Sequence, residues 1–335
     1  MSVVYVSNAD SGDIRVLQLG ADGALNEAQR FDTGGMVMPL AASPDRRRLY
    51  AALRSEPLAV LTLAIDAGSG RLHKLGEAPL PASMAYLACD RSGRFVLSAS
   101  YGGNQVAVSP VDAQGIVQAA QQVLATPPNA HAVQTDPSNR WAFATSLGGG
   151  QVLQYRFVAD TGRLTPNEPP ALVIREGAGP RHFRFHPNGR FVYLMNELDA
   201  TIDVLAFDTE RGTLAPLQTV ASLPPGFDGG APWAAELHLT PDGRFLYSSE
   251  RRSSTIAAFA VDAASGRLSL ISHTPTETEP RGFAIDPTGR FLLAAGQKSD
   301  RLTVHAIDGA SGRLTTLHSH PMGRNPNWVE IVDLP

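Results

Sequence analysis

Two turn signatures recur along the whole chain, and their period constrains the fold more than any other feature of the sequence. The first is a turn closing on an arginine that leads into an apolar run. It stands at Pro44-Asp45-Arg46-Arg47, Arg91-Ser92-Gly93-Arg94, Pro137-Ser138-Asn139-Arg140, Pro187-Asn188-Gly189-Arg190, Pro241-Asp242-Gly243-Arg244 and Pro287-Thr288-Gly289-Arg290. The closing arginines lie 47, 46, 50, 54 and 46 residues apart. Proline presets φ at the first corner of such a turn, and Gly or Asn tolerates the positive φ that follows. The apolar runs behind it, such as Phe245-Leu246-Tyr247, are good strand formers. The second signature is a glycine turn closing on Leu or Ile, as in Ser265-Gly266-Arg267-Leu268. It occurs seven times, at Gly23, Gly70, Gly115, Gly162, Gly212, Gly266 and Gly312.

A period of this length, with room for four short strands, is the mark of a β-propeller; helical solenoids would show paired amphipathic helices instead. Seven turns of one kind against six of the other imply seven blades, one of them split. The missing arginine would fall just past the end of the chain, while Val3–Ser7 has the character of the strand that should follow it. The expected fold is therefore all-β: residues 1–335 as a single seven-bladed propeller domain, closed by a C-terminal strand over 327–332 beside the N-terminal one. That pairing covers edges an open array would expose.

Composition excludes several function classes. A formal net charge of −4 offers no basic excess for nucleic acid or an anionic membrane surface, so neither is an expected partner. No apolar stretch approaches a membrane span. Cys89 is the only cysteine, so no intramolecular disulfide can form. The N-terminus reads as a strand, not a targeting segment, and the expected location is the cytoplasm. The oligomeric state is not legible.

The repeat also indexes the residues of the central channel. Nine positions before each closing arginine, at the start of the inner strand, stand Met38, Ala85, His131, Arg181, Ala235 and Arg281, with Asn327 in the last blade. One place later come Pro39, Tyr86, Ala132, His182, Glu236, Gly282 and Trp328. Seven positions after the arginine, at the end of the second strand on the same side of the ring, come Arg54, Tyr101, Leu147, Glu197, Arg251 and Gln297. His131, Arg181, Arg281, Glu197 and Glu236 thus converge on one channel end. Two guanidinium forks suit phosphate or carboxylate. His131, Glu197 or Glu236 could act as a base or orient a water. The competing reading is that Arg181 and Arg281 simply pair with Glu197 or Glu236 across the channel. The closing arginines recur blade after blade and read as structural. Gly177-Ala178-Gly179-Pro180 precedes no helix, so it is no phosphate loop. His318 and His320 alternate on one strand without a third ligand, so no metal site is expected there.

Several segments carry a family resemblance. They are Gly177-Ala178-Gly179-Pro180-Arg181-His182, Asn196-Glu197-Leu198, Trp233-Ala234-Ala235-Glu236-Leu237-His238, Glu279-Pro280-Arg281-Gly282-Phe283 and Gly296-Gln297-Lys298. In these the chain resembles the propeller-type 6-phosphogluconolactonases, themselves similar to the fungal carboxy-muconate lactonizing enzymes. The resemblance implies hydrolysis of 6-phospho-D-glucono-1,5-lactone to 6-phosphogluconate, a step of the pentose phosphate pathway, with no metal or organic cofactor. It implies a catalytic set of His131, Arg181 and Glu197. Substrate binding would fall to Arg181, Arg281, His182, Glu236 and Gln297, and the partner would be a small anionic, phosphorylated sugar lactone. One departure stands out: where many relatives have Pro-His-x-His, this chain has Pro128-Asn129-Ala130-His131. A different lactonase or muconate cycloisomerase, or a non-catalytic interaction propeller, are the competing functions.

Overall fold

The computed structural model describes residues 1–334. They form seven four-stranded antiparallel sheets, each strand hydrogen-bonded to the next in order from the channel outward. Blades 1 to 6 run over 37–79, 86–125, 130–173, 180–221, 234–275 and 280–321. Blade 7 is composite. Its inner strand is Pro326–Asp333, followed outward by Ser2–Asn8, Asp13–Leu19 and Leu25–Asp32. The register Val3↔Val332, Tyr5↔Glu330 and Ser7↔Trp328 is the ring closure expected from the missing seventh arginine. The second strand of every blade is buried almost throughout, whereas the outermost strands are mostly half-buried and exposed. This gradient suits an outer strand with one face toward the neighbouring blade and the other in water.

The two turn signatures meet across the blade-to-blade seams. The closing arginines Arg94, Arg140, Arg190, Arg244 and Arg290 each donate from Nη2 to a main-chain carbonyl of the next blade, on Ala159, Thr209, Ala264, Gly309 and Ala21 respectively. Blade 1 departs by one residue: there Arg48, not Arg47, makes the bond, to Gln114. The aromatic residue after the arginine lies under the glycine of the second signature. A Cβ on Gly266 would stand 2.5 Å from Phe191, and one on Gly312 would stand 2.4 Å from Phe245. Both glycines have φ of +71°, so their lack of a side chain serves conformation and packing together. Tyr5, Tyr50, Tyr193 and Tyr247 complete the seam, donating to the carbonyls of Gly70, Gly115, Gly266 and Gly312.

At the channel entrance the regular ladder gives way. Pairing between the first and second strands skips the positions between Ala130 and Val133, Pro180 and Phe183, and Ala234 and Leu237. It skips Gly282's neighbour Arg281 as well. These irregularities sit on the index positions themselves, where a bulge re-aims side chains that a flat strand would send to opposite faces. Hydroxyls take over the backbone bonds the ladder forgoes. Thr145 Oγ1 accepts from the Ala132 amide and donates to the Arg181 carbonyl, and Ser249 Oγ accepts from the Glu236 amide.

Candidate active site

The mouth of the channel is organised around one carboxylate. Glu197 begins just past the second strand of blade 4, and its Oε2 lies 2.6 Å from Arg181 Nε and 3.0 Å from Arg251 Nη2. Its Oε1 accepts from the indole of Trp233 at 3.1 Å. Arg251 is fixed further by donating to the carbonyls of Trp233 and Ala234, and its guanidinium lies 3.7 Å from the centre of the Trp233 ring. Arg181 is 1% exposed and also donates through Nη1 to the Ala235 carbonyl; its Nη2 makes no hydrogen bond within the protein. Burial pushes the Glu197 carboxyl up, but Arg181, Arg251 and Arg281 more than offset this and hold it below the usual carboxylate range.

Positive charge is in excess. Arg54, Arg181, Arg251 and Arg281 face one another's fields, and only Arg181 and Arg251 reach a carboxylate. Arg281 makes no ion pair or side-chain hydrogen bond within the protein, and Arg54 donates to the Ser83 hydroxyl and approaches the Met38 sulfur. Burial, then the neighbouring guanidinium of Arg181, presses Arg251 down to about 8. Burial, then Arg181 and Arg54, presses Arg281 to about 9. A guanidinium does not give up its proton in a protein, so these pressures express buried like charges crowded together, which an anion would relieve.

His131 stands beside this group, its ring 4.9 Å from that of His182 and 5.9 Å from that of Tyr101. Neither ring nitrogen bonds to the protein, and Nδ1 is buried without a partner. Burial, then the charge of Arg181, drives its pKa well below the ordinary histidine value, so the ring is neutral near pH 7. Among the described residues no group of three or more His, Cys, Asp or Glu side chains is placed to hold a metal ion. No helix among them is long and apolar enough to cross a membrane.

Residues 3–331 match the family model described as "Lactonase, 7-bladed beta-propeller". The chain belongs to the seven-bladed β-propeller lactonase family. It is 43% identical over 332 residues to a 6-phosphogluconolactonase of Pectobacterium carotovorum subsp. carotovorum, covering 99% of each chain. With a 6-phosphogluconolactonase of Serratia proteamaculans it shares 40% identity over 98% of each. Among solved structures it resembles a periplasmic gluconolactonase of Pseudomonas aeruginosa, with a TM-score of 0.91 and 32% identity, covering 100% of this chain and 99% of that one.

Within this lactonase-family propeller the sequence-indexed residues divide into two layers. His131, Arg181, Glu197 and Arg281 share the mouth. His182 and Glu236 do not: they pair below it, His182 Nδ1 lying 3.0 Å from Glu236 Oε1. His182 is buried and enclosed by the rings of His131, Tyr86 and Trp328. Glu236 turns the other way, toward Arg184 at 3.3 Å and into a second cavity of about 260 Å³ that also holds His238 and Glu330. Gln297 reaches the mouth's outer rim, where its amide donates to Asn325 Oδ1 at 2.8 Å. The outer rim opens into a cavity of about 640 Å³ with Trp233 and Arg281 in its wall. Sequence reasoning singled out neither Arg251 nor Trp233. Arg251 occupies the same repeat position as Glu197 and was legible there; Trp233 precedes the indexed positions, and nothing in the repeat marked it.

Proposed function

We propose that this protein hydrolyses 6-phospho-D-glucono-1,5-lactone to 6-phosphogluconate. The excess of guanidinium groups over carboxylates at the channel mouth carries the reading, since it calls for an anionic ligand, and the relatives named 6-phosphogluconolactonase supply the substrate. His131 takes a proton from water attacking the lactone carbonyl, because its nitrogens are free and the ring is neutral. Glu197 is already saturated by Arg181, Arg251 and Trp233, so its work is to hold those groups in place. The tetrahedral oxyanion is met by Arg281 and the uncommitted Nη2 of Arg181, after which the ring C–O bond breaks and the His131 imidazolium gives its proton to the released alkoxide. An arriving anion raises the His131 pKa by offsetting the arginines, so substrate improves its own base. A strained cyclic ester needs little more than positioning and one general base, worth about 10²–10⁴-fold. A phosphorylated substrate supports a cytoplasmic location, where sugar phosphates are made, and a step in the pentose phosphate pathway.

The decisive assay generates the lactone enzymatically from glucose 6-phosphate and follows its decay. Folded protein should accelerate that decay severalfold or more at catalytic concentration; no acceleration would end the reading. His131→Gln should lower kcat about 10²-fold while the fold is retained, as checked by circular dichroism. Arg181→Met should reduce kcat/KM similarly. Full activity in either variant removes that residue from the mechanism.

A further inference from the structure

The cavity of about 640 Å³ beside the mouth is lined by Arg252, Arg281, Lys298 and Arg324, contributed by three successive blades. None of these four cations has a carboxylate within 4.0 Å, although Asp10, Glu279 and Asp300 line the same space. Two of the acids are occupied by one asparagine: Asp300 Oδ1 accepts from the Asn325 amide, and Asp10 Oδ1 from its side chain. Arg324 spends one donor on the Asp10 carbonyl, and Lys298 makes no side-chain bond within the protein. Paired charges on a surface are worth little, but unpaired ones converging on a concave space attract an anion from a distance.

Trp233 joins this cavity to Glu197, lining the one and bonding the other. Its indole bonds Glu197 and its ring stacks on Arg251, while Arg252, which lines the cavity, lies 5.1 Å from the ring centre. Arg281 belongs to both spaces, feeling Arg181 and Glu197 on one side and lining the cavity on the other. A ligand with an anionic group at one end and a reacting carbonyl at the other fits across that shared guanidinium.

We propose that this cavity is the phosphate subsite, with Arg252, Lys298 and Arg324 joining Arg281 around the 6-phosphate and so setting the preference for phosphorylated over plain lactones. The assignment rests on the lactonase reading for its substrate but not for its binding chemistry. Lys298 and Arg324 are exposed, so their replacement spares the fold.

The test compares wild type with Lys298→Met and with the Lys298→Met, Arg324→Met double variant at fixed ionic strength. Two ratios are read. One is kcat/KM for 6-phosphogluconolactone over glucono-1,5-lactone; the other is the affinity for 6-phosphogluconate over gluconate, by titration calorimetry. Each charge-assisted phosphate contact should be worth about tenfold, so both ratios should fall about tenfold in Lys298→Met and about a hundredfold in the double variant. Ratios that stay put, or a wild type that binds the two acids equally, overturn the subsite. A wild type that turns over neither lactone yet loses its phosphate preference in the variants sinks the lactonase reading and leaves the subsite standing.

Discussion

A histidine that must accept a proton is ordinarily tuned toward the working pH, yet His131 is pushed well below its ordinary value by burial and by Arg181. Glu197 is likewise held low. In the free enzyme, both groups keep their pH 7 charge states well into the acid range. The profile of kcat/KM reports the free enzyme, and with unphosphorylated glucono-1,5-lactone it is clear of the substrate's own phosphate titration. We therefore expect that profile to pass through pH 6.5 without an inflection and to fall only at lower pH. A limb centred at pH 6.5 would mean that His131 is not depressed or is not the base. The register of the repeat located His131, Arg181, Glu197 and Arg281 as neighbours from positions far apart in sequence. It did not tell layers apart. Consecutive residues Arg181 and His182 both turn inward because the pairing skips them, and a bulge of that kind leaves no mark on side-chain alternation in a sequence.

Among the elements, the blade seams carry most of the information the sequence exposed. Each turn signature was readable as a turn, but their meeting was not: a local motif says what its own backbone does, not that Phe191 lies under Gly266 one blade on. That contact makes a sharp prediction. Gly266→Ala puts a methyl 2.5 Å from the Phe191 ring at a φ of +71°, so steric and backbone costs add. Loss of about 2 kcal/mol or more is expected, read as a shifted denaturant midpoint. An unchanged midpoint would show that the seam relaxes freely. Arg47 is the instructive exception. It holds the closing-arginine position of blade 1, but the next residue is Arg48 where blades 2 to 6 have an aromatic, and that second guanidinium takes over the seam bond. Counting turns gave the blade number correctly; assigning the bond required the neighbour's identity.

On the scale of the whole molecule, the channel and core hold several imidazoles in their neutral form. Burial holds His131 and His182 well below the ordinary value, His238 at about 3 and His305 at about 4. Unfolding frees all four to bind protons below pH 6.5, so the stability they contribute is present above that value and lost as pH falls. Glu330 opposes them. Burial raises its pKa to about 7, so its contribution is present at low pH and lost as pH rises through 7. The imidazoles outnumber the carboxyl, so protons are taken up on unfolding between pH 5.5 and 4.5 and stability falls over that unit. Denaturant unfolding at both pH values reads this directly. His305→Gln, far from the mouth and held between Thr276 and Thr316, should flatten the dependence by about one proton. Stability that does not change from pH 7 to 4.5 would contradict the buried neutral imidazoles.

The composite blade has a consequence for how the protein comes into being. Ser2–Asn8 leaves the ribosome long before Pro326–Asp333, its partner on the channel side. Until that segment emerges, Ser2–Asn8 keeps an unsatisfied edge while six blades assemble around a gap. Arg324 and Asn325 arrive with the closing segment. A chain interrupted before that point carries His131, Arg181 and Glu197 in full, and still lacks both the last wall of the anion cavity and the closed ring that would hold it.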